Sequence, residues 1–181
     1  MRIKAINFLY LVLGLLGFKS SNATADILLC TADIPGEVTS ARYQDCIDIQ
    51  SWQWGVGVSV SAPSGGGGRD ISNPSFSEVT FTKVYDSTSV DWTNHLVAGE
   101  VIPKVELYYD PCSVCETSDM TTKITLNDVL VSGHSLSTGG DLPSESLSLN
   151  YTKIEWCYTN TLLKQTTTEC GGFDLKTNTV P

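Results

Sequence analysis

Between residues 142 and 158 the chain reads LPSESLSLNYTKIEWCY, and its apolar side chains fall on every second position. Leu147, Leu149 and Tyr151 alternate with Ser146, Ser148, Asn150 and Thr152, the pattern of a strand with one face buried. After Tyr151 the apolar set moves by one, to Ile154, Trp156 and Tyr158, which predicts a bulge or bend within the strand. A strand over 46–60 shows the same behaviour. Ile47 and Ile49 share one phase and Trp52, Trp54, Val56, Val58 and Val60 the other, so a second irregularity is expected near Gln50 and Ser51. Further strands are predicted over 27–33, ended by the turn pair Pro35-Gly36, and over 76–84, 101–109, 123–137 and 173–177. Pro103 places its end of the strand over 101–109 at a strand start or an edge, and Gly171-Gly172 marks a turn before the last.

One helix interrupts the pattern. Residues 90–98 follow Ser89 as N-cap, carry Asp91 in the first turn and meet Gly99 at the C-terminus. Residues 61–68, ending in four successive glycines, are predicted to be a loop. They lack the strand-to-helix context and following Lys-Ser/Thr of a phosphate cradle. Seven strands and one short helix imply an all-β, two-sheet barrel or sandwich.

The first 25 residues fall outside this pattern. Arg2 and Lys4 precede an apolar run over 5–18, and Ala23-Thr24-Ala25 follows, the order of a secretory signal peptide. The run is 14 residues long, short of the roughly 20 needed to cross a bilayer as a helix. Cys30 is preceded by Leu28-Leu29, without the small residue a lipid-attachment site requires. The expected mature chain is one domain, 26–181, beginning at Asp26, in the periplasm or outside the cell. It keeps eight basic against twenty acidic residues, a net charge of −12. That charge argues against nucleic acid and anionic membrane surfaces as partners.

All six cysteines lie in the mature part. An even count behind a signal peptide implies disulfides formed in an oxidising compartment. Sequential pairing is preferred, Cys30 with Cys46, Cys112 with Cys115 and Cys157 with Cys170, because each pair flanks a local turn. Cys112-Ser-Val-Cys115 has redox or half-zinc spacing, but its loop context after Asp110-Pro111 favours a structural disulfide. The two histidines, His95 and His134, have no zinc-type spacing and read as surface or packing residues. No Ser-His-Asp order can be assembled, and carboxylates such as Asp45, Asp48, Glu145 and Glu155 read as solvated surface. No catalytic, cofactor or metal site is predicted, and the chain is not expected to be an enzyme.

Taken as a string, Glu145-Ser146, Ser148, Asn150-Tyr151, Lys153-Ile154-Glu155-Trp156 and Tyr158 resemble the late strands of the Hcp family, the tube proteins of type VI secretion systems. The likeness extends to Asp26-Ile-Leu-Leu, Ser51-Trp-Gln-Trp-Gly, Phe81-Thr-Lys-Val with Asp86, Lys123-Ile-Thr-Leu-Asn-Asp-Val-Leu-Val-Ser and Gly172-Phe-Asp-Leu-Lys-Thr-Asn, nearly all of the chain after residue 25. The resemblance implies a two-sheet barrel with a helix on its flank. It further implies self-association into hexameric rings that stack into a tube, with effector proteins as cargo in the lumen and with residues 61–71 contributing to contacts between rings. Proteins of that family assemble in the cytoplasm, lack a cleavable signal and seldom carry several cysteines. The present chain is therefore expected to be exported before it folds. Either it forms its ring beyond the inner membrane, or it reuses the barrel as a secreted or periplasmic binding module.

Overall fold

The computed structural model describes residues 25–61, 68–112, 120–162 and 165–181. Among them the chain runs β1 (Asp26–Cys30), β2 (Ile47–Asp48), β3 (Ser51–Gln53), β4 (Val56–Gly57), β5 (Ser75–Phe76), β6 (Val79–Val84), α1 (Ser89–Ala98), β7 (Ile102–Asp110), β8 (Met120–Ser137), β9 (Ser144–Asn150), β10 (Lys153–Leu162) and β11 (Gln165–Asp174).

The long strand β8 belongs to two sheets. Its first half pairs with β7 and β10, giving the order β2-β1-β7-β8-β10-β11. Its second half pairs with β9, giving β8-β9-β6-β3. All these pairings are antiparallel. The strand changes sheet between a left-handed residue, Asp128 at φ 48°, and a register shift between Val131 and Gly133. A bulge of this kind bends a strand and increases its twist, which folds the two sheets over a common interior.

The phase change predicted in 142–158 is a break between two strands. β9 ends at Asn150 and β10 begins at Lys153, and Tyr151 and Thr152 form the corner between them. Leu147, Leu149, Tyr151 and Ile154 all remain in the core, so the shift keeps the apolar set inward while the chain passes from one sheet to the other. The run 46–60 is likewise divided among β2, β3 and β4, and 76–84 is β5 and β6. Pro103 lies where β7 pairs only with β8, since β1 stops opposite Glu106, and its missing N–H costs no ladder bond there.

Two expectations are corrected. Gly171 and Gly172 lie inside β11 rather than in a turn before it. A Cβ on Gly171 would come within 2.7 Å of Trp156 Nε1, so the glycine admits the indole of the paired strand rather than reversing the chain. Ser89 is the first residue of α1 and Thr88 is its N-cap, with no side-chain capping bond. The Ser89 hydroxyl is committed instead to a buried cluster described below. Gly99 closes the helix as expected, at φ 64°.

The larger core spans both sheets, and α1 joins it through Trp92, with Leu96 packed against it. Trp92 is fully buried, with its ring 5.4 Å from that of Phe81 in an edge-on arrangement, whereas Val90 and Val97 on the same helix are exposed. Such an aromatic pair adds about 1 kcal/mol beyond the area it buries. The burial of Tyr151 pushes its phenol up to about 12 while its hydroxyl donates to the Ser77 carbonyl at 2.9 Å.

Candidate functional site

Between β4 and β5 the chain makes a narrow two-stranded arm. Val56 pairs with Phe76 and Gly57 with Ser75, and a bridge joins Val60 to Ile71 further out. Main-chain bonds from Ser72 N to Ser59 O at 2.9 Å and Ser61 N to Asp70 O at 3.0 Å continue the ribbon. Of the predicted glycine loop, residues 62–67 lie outside the described residues.

Because residues two apart on a strand, and residues directly opposite across a pair, share one face, Val56, Val58, Val60, Ile71 and Phe76 form a single apolar side of the arm. Val56, Val58 and Val60 are about half exposed, at 51%, 49% and 52%, and Ile71 is 68% exposed. An open groove of about 550 Å³ runs along the base, lined by residues 55–59, Ser72 and residues 75–77. The base is anchored by stacked rings: Trp54 lies 5.5 Å from Trp156 and 6.3 Å from Phe76, which lies 4.9 Å from Phe173. A concentrated apolar face on a strongly acidic chain is the mark of an interaction surface.

The cysteines are structural. Cys30 is bonded to Cys46 and Cys157 to Cys170. Leu29 lies opposite Ile47 at the end of the β1–β2 pair, which places Cys30 next to Cys46, and Cys157 is directly opposite Cys170 in the β10–β11 pair. Cys112 is disulfide-bonded as well, and Cys115, its expected partner, lies outside the described residues. Glu155, Cys157 and Cys170 bring three potential metal ligands within 4.8 Å of one another. Both sulfurs are consumed in the disulfide, so the trio offers a cation only its carboxylate.

Asp110, fully buried at the end of β7, ties the oxidised loops together. It accepts from Tyr43 Oη at 2.7 Å and from Cys112 N at 2.9 Å and pairs with Arg42 at 3.0 Å. Burial, and then the hydrogen bond to Asp110, push the Tyr43 phenol well above its ordinary range.

Glu145, expected at the surface, and Ser89, expected as an N-cap, belong to a second, buried cluster. Glu145 is buried rather than solvated, as are Lys83 and Ser89. Lys83 Nζ lies 2.7 Å from both Glu145 Oε1 and Asp86 Oδ1 and donates to the Val84 carbonyl at 3.0 Å. Ser89 Oγ donates to Glu145 Oε1 at 2.7 Å and accepts from Asp86 N at 3.0 Å. His134 Nε2 meets the other Glu145 oxygen at 2.8 Å. The signal for this cluster was present in the alternation: Lys83 follows Val79 and Phe81, and Glu145 precedes Leu147 and Leu149, at two-residue steps on inward faces. His95, by contrast, sits 3.7 Å from Glu100 at the end of the helix. None of these groups forms a nucleophile with an accessible base, and no helix among the described residues is long and apolar enough to cross a membrane.

The family model described as "Type VI secretion system effector, Hcp" matches residues 28–158. No curated protein matches the chain at the sequence level. Among solved structures, one described as a type six secretion system protein is 21% identical, with a TM-score of 0.75, covering 87% of this chain and 100% of that one. Hcp1 from Salmonella typhimurium is 22% identical with a TM-score of 0.68, covering 87% and 99%. A type VI secretion system effector from Yersinia pestis is 18% identical with a TM-score of 0.64, covering 82% and 99%. At these identities the likeness establishes the barrel fold.

Proposed function

The chain belongs to the Hcp family of type VI secretion proteins, and from that premise we propose that it is a structural subunit, exported by cleavage after Ala25, that assembles into six-membered rings. Heterologous contacts between one barrel and the next close such a ring, and stacked rings leave a lumen as the place for effector cargo. The observation that carries the reading is the one-sided apolar arm, Val56, Val58, Val60 and Ile71, standing exposed on an isolated subunit. A second copy, rather than a charged partner, matches its chemistry. The disulfides support an extracytoplasmic place for the assembled protein. They also favour the second reading, a secreted or periplasmic binding module that keeps the barrel and does not form rings.

Electron microscopy of protein recovered from the extracytoplasmic fraction separates the two. Rings or stacks of rings are expected, and particles that remain single barrels at high concentration would contradict the assembly reading. Replacing Val58 and Ile71 together by aspartate should reduce stacking at least tenfold with little change in the melting temperature of the subunit, since both side chains are already half-exposed or more. Equal stacking by this variant would remove the arm from the contact.

A further inference from the structure

The three potential ligands on the β10–β11 hairpin share one face of the first sheet. Glu155 and Cys157 are two residues apart on β10, and Cys170 is directly opposite Cys157 on β11. Glu155 Oε1 lies 3.6 Å from Cys157 Sγ, and one ligand atom from each of the three residues falls within 4.8 Å of the others. The residue opposite Glu155 is Gly172, so β11 places no side chain beside the carboxylate at that position.

The backbone sets these positions independently of the sulfur bond. β10 is paired on both sides, with β11 over 153–162 and with β8 over 153–160, and neither ladder shifts register. Opening the disulfide therefore leaves two thiols facing one another with the carboxylate beside them. Cys170 is exposed on β11, which pairs with β10 alone among the described strands. A thiolate reductant can reach it there, whereas Cys46 of the Cys30–Cys46 bond is only 4% exposed.

We propose that reduction of the Cys157–Cys170 bond turns this face into a site for a thiophilic divalent cation, zinc above all, held by the two sulfurs and Glu155. A dithiol supplies the two electrons. Its thiolate attacks Cys170 Sγ, Cys157 leaves as a thiolate, and the second thiol of the reductant closes its own disulfide and releases Cys170. Zinc then displaces the protons of both thiols into solvent. Zinc–sulfur bonds of about 2.3 Å in a tetrahedron hold the sulfurs about 3.8 Å apart. Directly opposed strand residues have Cβ atoms about 4.5 to 5.5 Å apart, so rotation about χ1 supplies that separation. Water takes the fourth position.

The donor set selects the metal. Calcium and magnesium need several oxygen ligands, and this site offers two thiolates and one carboxylate. The charges also fit. Two thiolates, a carboxylate and a divalent cation sum to −1, while the adjoining Lys104, Glu106 and Lys123, with Lys123 directly opposite Cys157 on β8, sum to +1. The site is closed in the oxidised protein and becomes available where the protein meets a reducing compartment. It does not depend on ring assembly.

Alkylation mapped by mass spectrometry on the full chain tests this, with graded additions of dithiol and then zinc chloride. Cys157 and Cys170 should become reactive toward N-ethylmaleimide before Cys30 and Cys46, and zinc should then protect both. Cobalt chloride in place of zinc should give the absorption of a tetrahedral thiolate site, absent from the oxidised protein. Glu155→Gln, which leaves both cysteines in place, should weaken the zinc protection by about tenfold or more. Cys157 and Cys170 that react equally with and without zinc would overturn the site. Protection undiminished in Glu155→Gln, or Cys30–Cys46 opening first, would also contradict it.

Discussion

Lys83→Met should cost the folded chain about 3 to 5 kcal/mol, because it leaves the Glu145 carboxylate buried without its cation. The lysine is fully enclosed, and its ammonium meets Glu145 and Asp86 at 2.7 Å and the Val84 carbonyl at 3.0 Å. Methionine fills much of the same volume, so the loss reports the charge rather than a cavity. Adding Glu145→Gln should restore part of it by removing the stranded charge, even though the amide serves His134 less well. Denaturant midpoints for the two single variants and the double variant check this, and a Lys83→Met loss under about 1 kcal/mol would mean that the cluster is worth no more than an exposed pair.

Loss of the disulfides should have the larger effect in sum. Cys30–Cys46 and Cys157–Cys170 close loops with sequence separations of 16 and 13, and each is expected to stabilise the fold by about 3 kcal/mol through the unfolded chain it constrains. The two lie in different parts of the first sheet, one between β1 and β2 and the other between β10 and β11, so their contributions should add to about 6 kcal/mol. Small domains have about 5 to 15 kcal/mol in all. Cys30→Ala with Cys46→Ala and Cys157→Ala with Cys170→Ala, combined, should therefore leave a largely protease-sensitive chain at 37 °C, while either pair alone should leave a folded one with a lower melting temperature. Unchanged protease resistance in the combined variant would show that the barrel does not depend on oxidation, and would remove one support for folding outside the cytoplasm.

The strands were legible because one face of each is buried and alternation records it. The pairs Cys30–Cys46 and Cys157–Cys170 were legible because cysteines opposed across a short antiparallel connection are close in sequence as well as in space. Glu145 was misread for a physical reason. Alternation identifies the inward face, but an inward position occupied by a charge looks like surface until its counter-charge, 62 residues away in sequence, is placed beside it. Ser89 was misread in the same way, as its value for the helix start in isolation was outweighed by the partners the barrel brings to it. Gly171 and Gly172 look like a turn in any local reading, and only the neighbouring chain explains them, the Trp156 ring at Gly171 and the Ile154 carbonyl with Pro181 at Gly172. The apolar arm was legible as residues and not as a surface, because Val56, Val58 and Val60 alternate like core positions while the structure leaves them half exposed.

Native mass spectrometry of the protein purified from the extracytoplasmic fraction, without reductant, reads assembly, signal cleavage and oxidation in one spectrum. A species of six chains is expected, each beginning at Asp26 and each lacking the hydrogens of its oxidised cysteines. A monomer at every concentration, or an assembly of chains that still begin at Met1 with free thiols, would contradict it.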